Sequence, residues 1–250
     1  MGNNETKRRA VPAILAAALA LAFAATQPLY AALPAAADRE TPIADGPVDG
    51  AGLGEWTARW WQWALAQWVE PYRDPDGRLC ALGQDGAVWF LAGTDGTFDA
   101  LRRCTVPAGK HVLVPVINMI HHQVRRGVGP GCRALQAAAS VNNDHLVSAV
   151  VLLDGRPLGD VSARRVRSAG CFPLDPDDEA SPLAASDGYW IMLRPLPPGR
   201  HRLVVGANYG APDEAYGGMR QNFEYVLDVG GPLAEEGNTG APAAASLAPR

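Results

Sequence analysis

Five of the chain's seven tryptophans fall within fourteen residues, EWTARWWQWALAQW, from Glu55 to Trp68, and no other stretch restricts the fold so strongly. At 100° per residue Trp56, Trp60 and Trp63 share one arc, Trp61, Leu65 and Trp68 continue it, and Glu55, Arg59, Gln62 and Ala66 take the far side. The pattern predicts an amphipathic helix with an apolar face of about 200°, bounded by Gly54 and Pro71. Left in water, five indoles would form an apolar patch far larger than soluble monomers carry. Burial is the cheaper arrangement, because each ring gains by leaving water while its N–H still reaches a carbonyl. Trp56, Trp60, Trp61, Trp63 and Trp68 are therefore expected in the core. An interface with a partner or lipid surface, and an exposed platform for sugar rings, are the competing readings.

The partner of that helix is expected to be a sheet. Asp-Gly recurs at 76, 85, 95, 154 and 187, flanked several times by β-rich runs, and both residues tolerate the positive φ of tight hairpins. The strand candidates are 87–92, 111–117, 146–153, 189–193, 201–206 and 223–229. The last alternates Phe223, Tyr225, Leu227 and Val229 with Glu224 and Asp228, as a half-buried strand does. Others are apolar on both sides, which fits strands in a sandwich or strands covered by a helix. A second short helix is predicted over 133–140. The expected fold is mainly β: an antiparallel β-sandwich, jelly-roll or Ig-like, with one Trp-rich amphipathic helix packed on it. It occupies residues 53–229 as a single domain, after a flexible lead-in at 38–52 and before a disordered Gly/Pro/Ala-rich tail at 230–250.

Lys7, Arg8 and Arg9 precede a 15-residue apolar run, Val11 to Ala25, followed by small-residue patterns ending at Ala24 and Ala37. The run is short for a membrane span, so residues 1–37 are expected to be a secretory signal peptide, with an uncleaved anchor as the alternative. Cleavage would take three of the 22 basic residues and one of the 26 acidic ones, leaving 19 against 25. That acidic balance argues against a nucleic-acid partner, and no membrane span is expected after cleavage. In an exported chain Cys80, Cys104, Cys132 and Cys171 are expected to form disulfides. Pairing neighbours in sequence, Cys80 with Cys104 and Cys132 with Cys171, is favoured; a zinc site is the rival, without a C-x2-C spacing to support it. The expected location is the periplasm or cell exterior.

The order EWTARWWQWALAQW, CTVPAGKHVLVPVIN and DGYWIMLRPLPPGRHRLVVG resembles a family of exported bacterial proteins with WWQW, CTVPAGK and DGYW…PPGxH segments, over most of residues 53–229. The resemblance implies export and a common fold. The family has no established activity, so no catalytic residue is carried over.

Familiar catalytic and cofactor motifs are missing, including G-x-S-x-G, H-E-x-x-H, the phosphate-binding loop and the dinucleotide fingerprint, and no cofactor is expected. His121 and His122 are adjacent, so on a strand they would face opposite sides and could not share a metal without a bulge. Asp74-Pro-Asp76-Gly77 copies only part of a calcium loop and is expected to be a turn. Asp175, Asp177, Asp178 and Glu179 form a denser acidic run, a weak calcium candidate. Two long loops are expected at one rim: 121–132, with His121 and His122, and 208–220, with Tyr209, Asp213, Glu214, Tyr216 and Arg220, a mixture suited to sugars. A glycan-binding or structural module is thus favoured. The alternatives are a polysaccharide-acting hydrolase or lyase, drawing on Glu70, Asp213, Glu214 and His122, and a protein-interaction subunit.

Overall fold

The tryptophan segment forms helix α1, Leu53–Ala66, within a computed structural model that describes residues 41–210 and 217–231. Trp56, Trp60 and Trp63 are buried in an apolar cluster with Val88, Phe90, Leu113, Trp190 and Met192. Each of their indole N–H groups donates to a carbonyl: Trp56 to Val48 at 3.0 Å, Trp60 to Leu91 at 2.7 Å and Trp63 to Leu82 at 2.9 Å. Trp61 is only half-buried. Trp68 departs from expectation altogether: it is fully exposed. The helix stops at Ala66, Gln67 turns to an extended conformation, and Trp68 leaves the arc that hides the others. The Gln67 amide donates back to the Trp63 carbonyl and fixes that exit.

The described residues are mainly β, in two sheets with few helices. In the first, β1 (Val88–Phe90), β3 (His111–His122), β8 (Leu183–Leu193) and β6 (Arg165–Arg167) lie in that order, with β7 (Phe172–Pro173) also on β8. In the second the order is β2 (Ala100–Val106), β10 (Arg220–Val229), β9 (Gly199–Tyr209), β4 (Leu146–Leu153) and β5 (Arg156–Pro157). Pairing is not purely antiparallel: β1 with β3 and β2 with β10 run parallel. The cause is connectivity, because β2 sits in the other sheet and its crossover returns the chain beside β1 in the same direction.

Both sheets contribute to one buried cluster, with Val114, Ile117 and Ile191 from the first and Leu203, Phe223 and Leu227 from the second. The two-sided apolar strands follow from this: β3 and β8 give alternate residues to that cluster, while Leu113 and Trp190 go to the cluster that holds α1. Strand β2 was hidden in the sequence by its two arginines; Arg102 is nonetheless buried. Helix α2, Cys132–Ser140, begins at the Cys132–Cys171 disulfide, and Cys80–Cys104 forms the second bridge, each with Cα atoms 5.7 Å apart.

Asp154-Gly155 is the expected hairpin turn, φ being 52° and 75°, between β4 and β5. Asp187-Gly188 is not a turn: both lie inside β8. The lead-in is also more ordered than expected, since Ile43 bridges to Leu193 and Val48 to Ala51, and Ile43 and Val48 are buried. The expected signal peptide at 1–37 and nearly all of the expected tail lie outside the described residues. Among the described residues no helix is long and apolar enough to cross a membrane.

Candidate functional site

Where α1 ends, a cleft of about 320 Å³ opens between the helix, β3 and the start of β10. That is the lower end of the size range for small-ligand sites. The helix supplies Trp60, Trp61 and Leu65, and Tyr72 follows on the short 3-10 turn after Pro71. The Trp61 and Tyr72 rings stand edge to face, centroids 6.3 Å apart. Strand β3 supplies Asn118, Met119, Ile120 and His122; the far wall is Gly93, Thr94, Asp95, Met219 and Gln221.

Several polar groups here have fixed roles. The Trp61 Nε1–H is shielded from solvent and has no hydrogen-bond partner among the described residues. His122 Nδ1 lies 2.7 Å from the Gln123 carbonyl, which can only accept, so Nδ1 is the donor in this contact. Gln221 clamps Thr94, its Oε1 accepting from the backbone N–H at 2.7 Å and its Nε2 donating to the carbonyl at 2.5 Å. The exposed Asp95 carboxylate accepts from the N–H and hydroxyl of Thr97. Burial, reinforced by Glu70, pushes the Tyr72 phenol above its ordinary value, so it stays a hydroxyl at neutral pH.

The wall rests on Arg102. Its guanidinium donates to the carbonyls of Ala92 (2.5 Å), Gly93 (2.8 Å) and Asp74 (2.6 Å) and to the Tyr225 hydroxyl (3.1 Å). Asp74 in turn accepts from the N–H groups of Asp76, Gly77 and Leu79. Burial alone would raise its carboxyl, but these donors and Arg102 hold it below the usual range. The Asp74–Gly77 stretch is thus a bend fixed by the Asp74 carboxylate.

Of the predicted site residues, His122 lines the cleft and His121, its neighbour on β3, does not. Both belong to a strand rather than a loop, because β8 extends to pair with them. Met219, from the second predicted loop, lines the same cleft as His122. Tyr209 is a correction: it ends β9, is buried, and its hydroxyl donates to Asn143 Oδ1. Arg220 is exposed and begins β10, in register with Asn208. Asp213, Glu214 and Tyr216 lie outside the described residues. Glu70 pairs with Arg73 at 3.6 Å and does not line the cleft.

The weak calcium candidates lie on the surface. Asp175, Asp177, Asp178 and Glu179 are all exposed, and Asp175 and Asp178 accept from nearby backbone N–H groups. Among the described residues no three acidic, histidine or cysteine side chains converge on a metal position.

Tyr72, Thr94, Asp95, Asn118 and Gln221 were missed, and Trp61 was assigned wholly to the core. Asn118 carried the clearest signal, as the one polar residue in VLVPVINMI. No protein-family model, curated protein or solved structure matches the chain.

Proposed function

We propose that this chain is an exported, disulfide-bonded binding module that seats a glycan in the Trp61–Tyr72 cleft. The finer fold that accompanies this reading is a β-sandwich, jelly-roll or Ig-like in outline, with α1 packed on it. Both cysteine pairs are bridged, which supports an oxidising compartment such as the periplasm or cell exterior. The observation that carries the reading is the pairing of the Trp61 and Tyr72 rings, edge to face, in one cleft with the side chains of His122, Asn118 and Asp95. Sugar rings offer an apolar face to aromatics and hydroxyls that both donate and accept. A polysaccharide-acting enzyme is supported less, since among the described residues Asp95 is the single acid lining the cleft and glycosidases use two.

Glycan-array screening followed by calorimetry tests the proposal. A ligand found with wild type should lose about tenfold or more in affinity with Trp61→Ala and with Tyr72→Ala. Unchanged affinity in both variants removes the cleft as the seat. The fully exposed Trp68, with half-exposed Val69 beside it, favours a second reading, a protein-interaction subunit. Sedimentation of wild type and Trp68→Ala separates it: association that Trp68→Ala abolishes supports this reading, and a monomer in both cases counts against self-association.

A further inference from the structure

The Trp61–Tyr72 cleft carries an acid without a counter-charge. Asp95 lines it; Asp95 Oδ1 accepts from the N–H and hydroxyl of Thr97, while Oδ2 has no hydrogen bond and the carboxylate no ion pair among the described residues. No lysine or arginine lines the cleft, and its other titratable side chains are His122 and Tyr72. The negative charge reaches the aromatic wall. Burial and Glu70 raise the Tyr72 phenol, Arg73 opposes them, and Asp95 adds to the rise. Glu70 is already engaged with Arg73, and neither lines the cleft. No cation of the chain covers these rings either: the cation–π contacts among the described residues are Arg59 over Trp56 and Arg102 over Tyr225.

Aromatic rings and a carboxylate around one cleft attract a positive charge, through the ring quadrupoles and Coulomb's law together. A ligand that covers the cleft also takes water from Asp95, and a neutral one leaves that carboxylate poorly solvated. An acidic sugar adds like-charge repulsion, with no guanidinium or ammonium in the lining to meet it. Resting on the glycan reading of this cleft, we infer that the sugar it takes is an unacetylated amino sugar, its ammonium on Asp95 Oδ2 and its apolar ring face against Trp61 and Tyr72. An ammonium only donates, so it suits the oxygen that Thr97 leaves without a donor. The chain as a whole is acidic, 26 acidic residues against 22 basic, so general attraction of a cation has to be separated from the site itself.

The test is calorimetry on the purified full chain with three β-1,4-linked trisaccharides: that of glucosamine, its fully N-acetylated form, and cellotriose, which differ only in the group on C2. One mildly acidic buffer for every arm keeps the amine charged and makes the state of His122 the same throughout. Wild type should bind the aminated sugar at least about fivefold tighter than either of the others. Asp95→Asn keeps the acceptor that Thr97 uses and, at an exposed position, should leave the fold intact. It should bring that preference to within about twofold while cellotriose affinity stays unchanged. Equal binding of the three by wild type, or a preference for the acetylated form, overturns the amine and leaves the glycan reading in place. A preference that survives Asp95→Asn comes from the overall acidity of the chain and overturns the site. No binding of any trisaccharide by wild type overturns the glycan reading, and the amine with it.

Discussion

Gly188 of β8 lies opposite Asn118 of β3 with no room for a side chain: a methyl group on Gly188 would stand 2.2 Å from Asn118 Cβ and 2.6 Å from its Cα. The close approach joins the DGYW segment to the cleft, since Asn118 lines it. Gly188→Ala must push two central strands apart. It should cost about 2–3 kcal/mol, read as a lower urea midpoint, and should displace Asn118 enough to weaken any cleft ligand. A midpoint equal to wild type would show that β3 yields freely.

The tryptophans should divide by the same logic. Trp60 is 2% exposed and touches the rings of Trp61, Trp63 and Trp190, so Trp60→Ala should cost about 3–5 kcal/mol. Trp68→Ala should change stability by less than about 0.5 kcal/mol and remove the most red-shifted part of the emission. Equal losses in the two variants would contradict the helix end at Ala66.

That contrast also marks how far the sequence reached. The 3.6-residue period found α1 and its three buried indoles, but no period announces where a helix stops, and Trp68 falls two residues past the stop. Alternation found β10 because its outward residues are polar. It missed β2, where Arg102 points inward and is satisfied by carbonyls from segments distant in sequence. Asp187-Gly188 resembles a turn in sequence, yet Asp187 is held within β8 by both Arg165 and Arg167. The cleft draws on residues from 60 to 221, a convergence set by sheet pairing rather than by any local pattern. His122 was found as a chemical type; Gln221 acquires its role only through Thr94, 127 residues away, and Tyr72 only once the 3-10 turn after Pro71 sets its ring beside Trp61.

Arg102 makes the strongest buried polar prediction. With 1% exposure it serves the carbonyls of Asp74, Ala92 and Gly93, and Arg102→Ala leaves all three without that donor. The expected cost is about 3–5 kcal/mol. Arg102→Lys should recover only part of it, because one ammonium cannot reproduce the spread of the guanidinium. Chemical denaturation of the three proteins checks the order wild type, Lys, Ala. Full rescue by lysine would argue that the charge matters and the fork does not.

The two bridges close loops with separations of 24 and 39 residues. Loop-closure entropy assigns them about 3.5 and about 4 kcal/mol respectively. Replacing either pair with serine should lower the melting temperature, the Cys132–Cys171 pair somewhat more. Differential scanning calorimetry tests that ranking. If dithiothreitol leaves the wild-type transition unmoved, the chain is already reduced and the export proposal loses its main support.

His201 closes a pH-dependent contact between the β4–β5 turn and the segment before β9. Its Nδ1 lies 2.8 Å from Asp154 Oδ2 and its Nε2 2.8 Å from the Pro197 carbonyl; two acceptors require two N–H groups, and therefore the imidazolium. Burial pushes its pKa down, but the bonds to Asp154 and Pro197 and the charge of Asp154 outweigh that and raise it above the ordinary value. Burial likewise raises the Asp154 carboxyl, and the His201 bond with the Arg202 N–H more than offsets it, leaving the carboxyl low. A raised histidine stabilises the fold fully below its unfolded value of about 6.5 and loses that contribution as pH rises through the folded one. A depressed carboxyl contributes above about 3.9 and is lost as pH falls through its folded value. The pair is therefore strongest between about pH 4 and 6.5, and because Asp154 is partly exposed it contributes no more than about 1 kcal/mol. The stability gap between wild type and His201→Gln, measured by urea denaturation, should be widest near pH 5 and should narrow steadily toward about pH 9. A gap that stays constant or widens with rising pH would mean that His201 acts as a neutral ring, and that Asp154 is held by Arg202 alone.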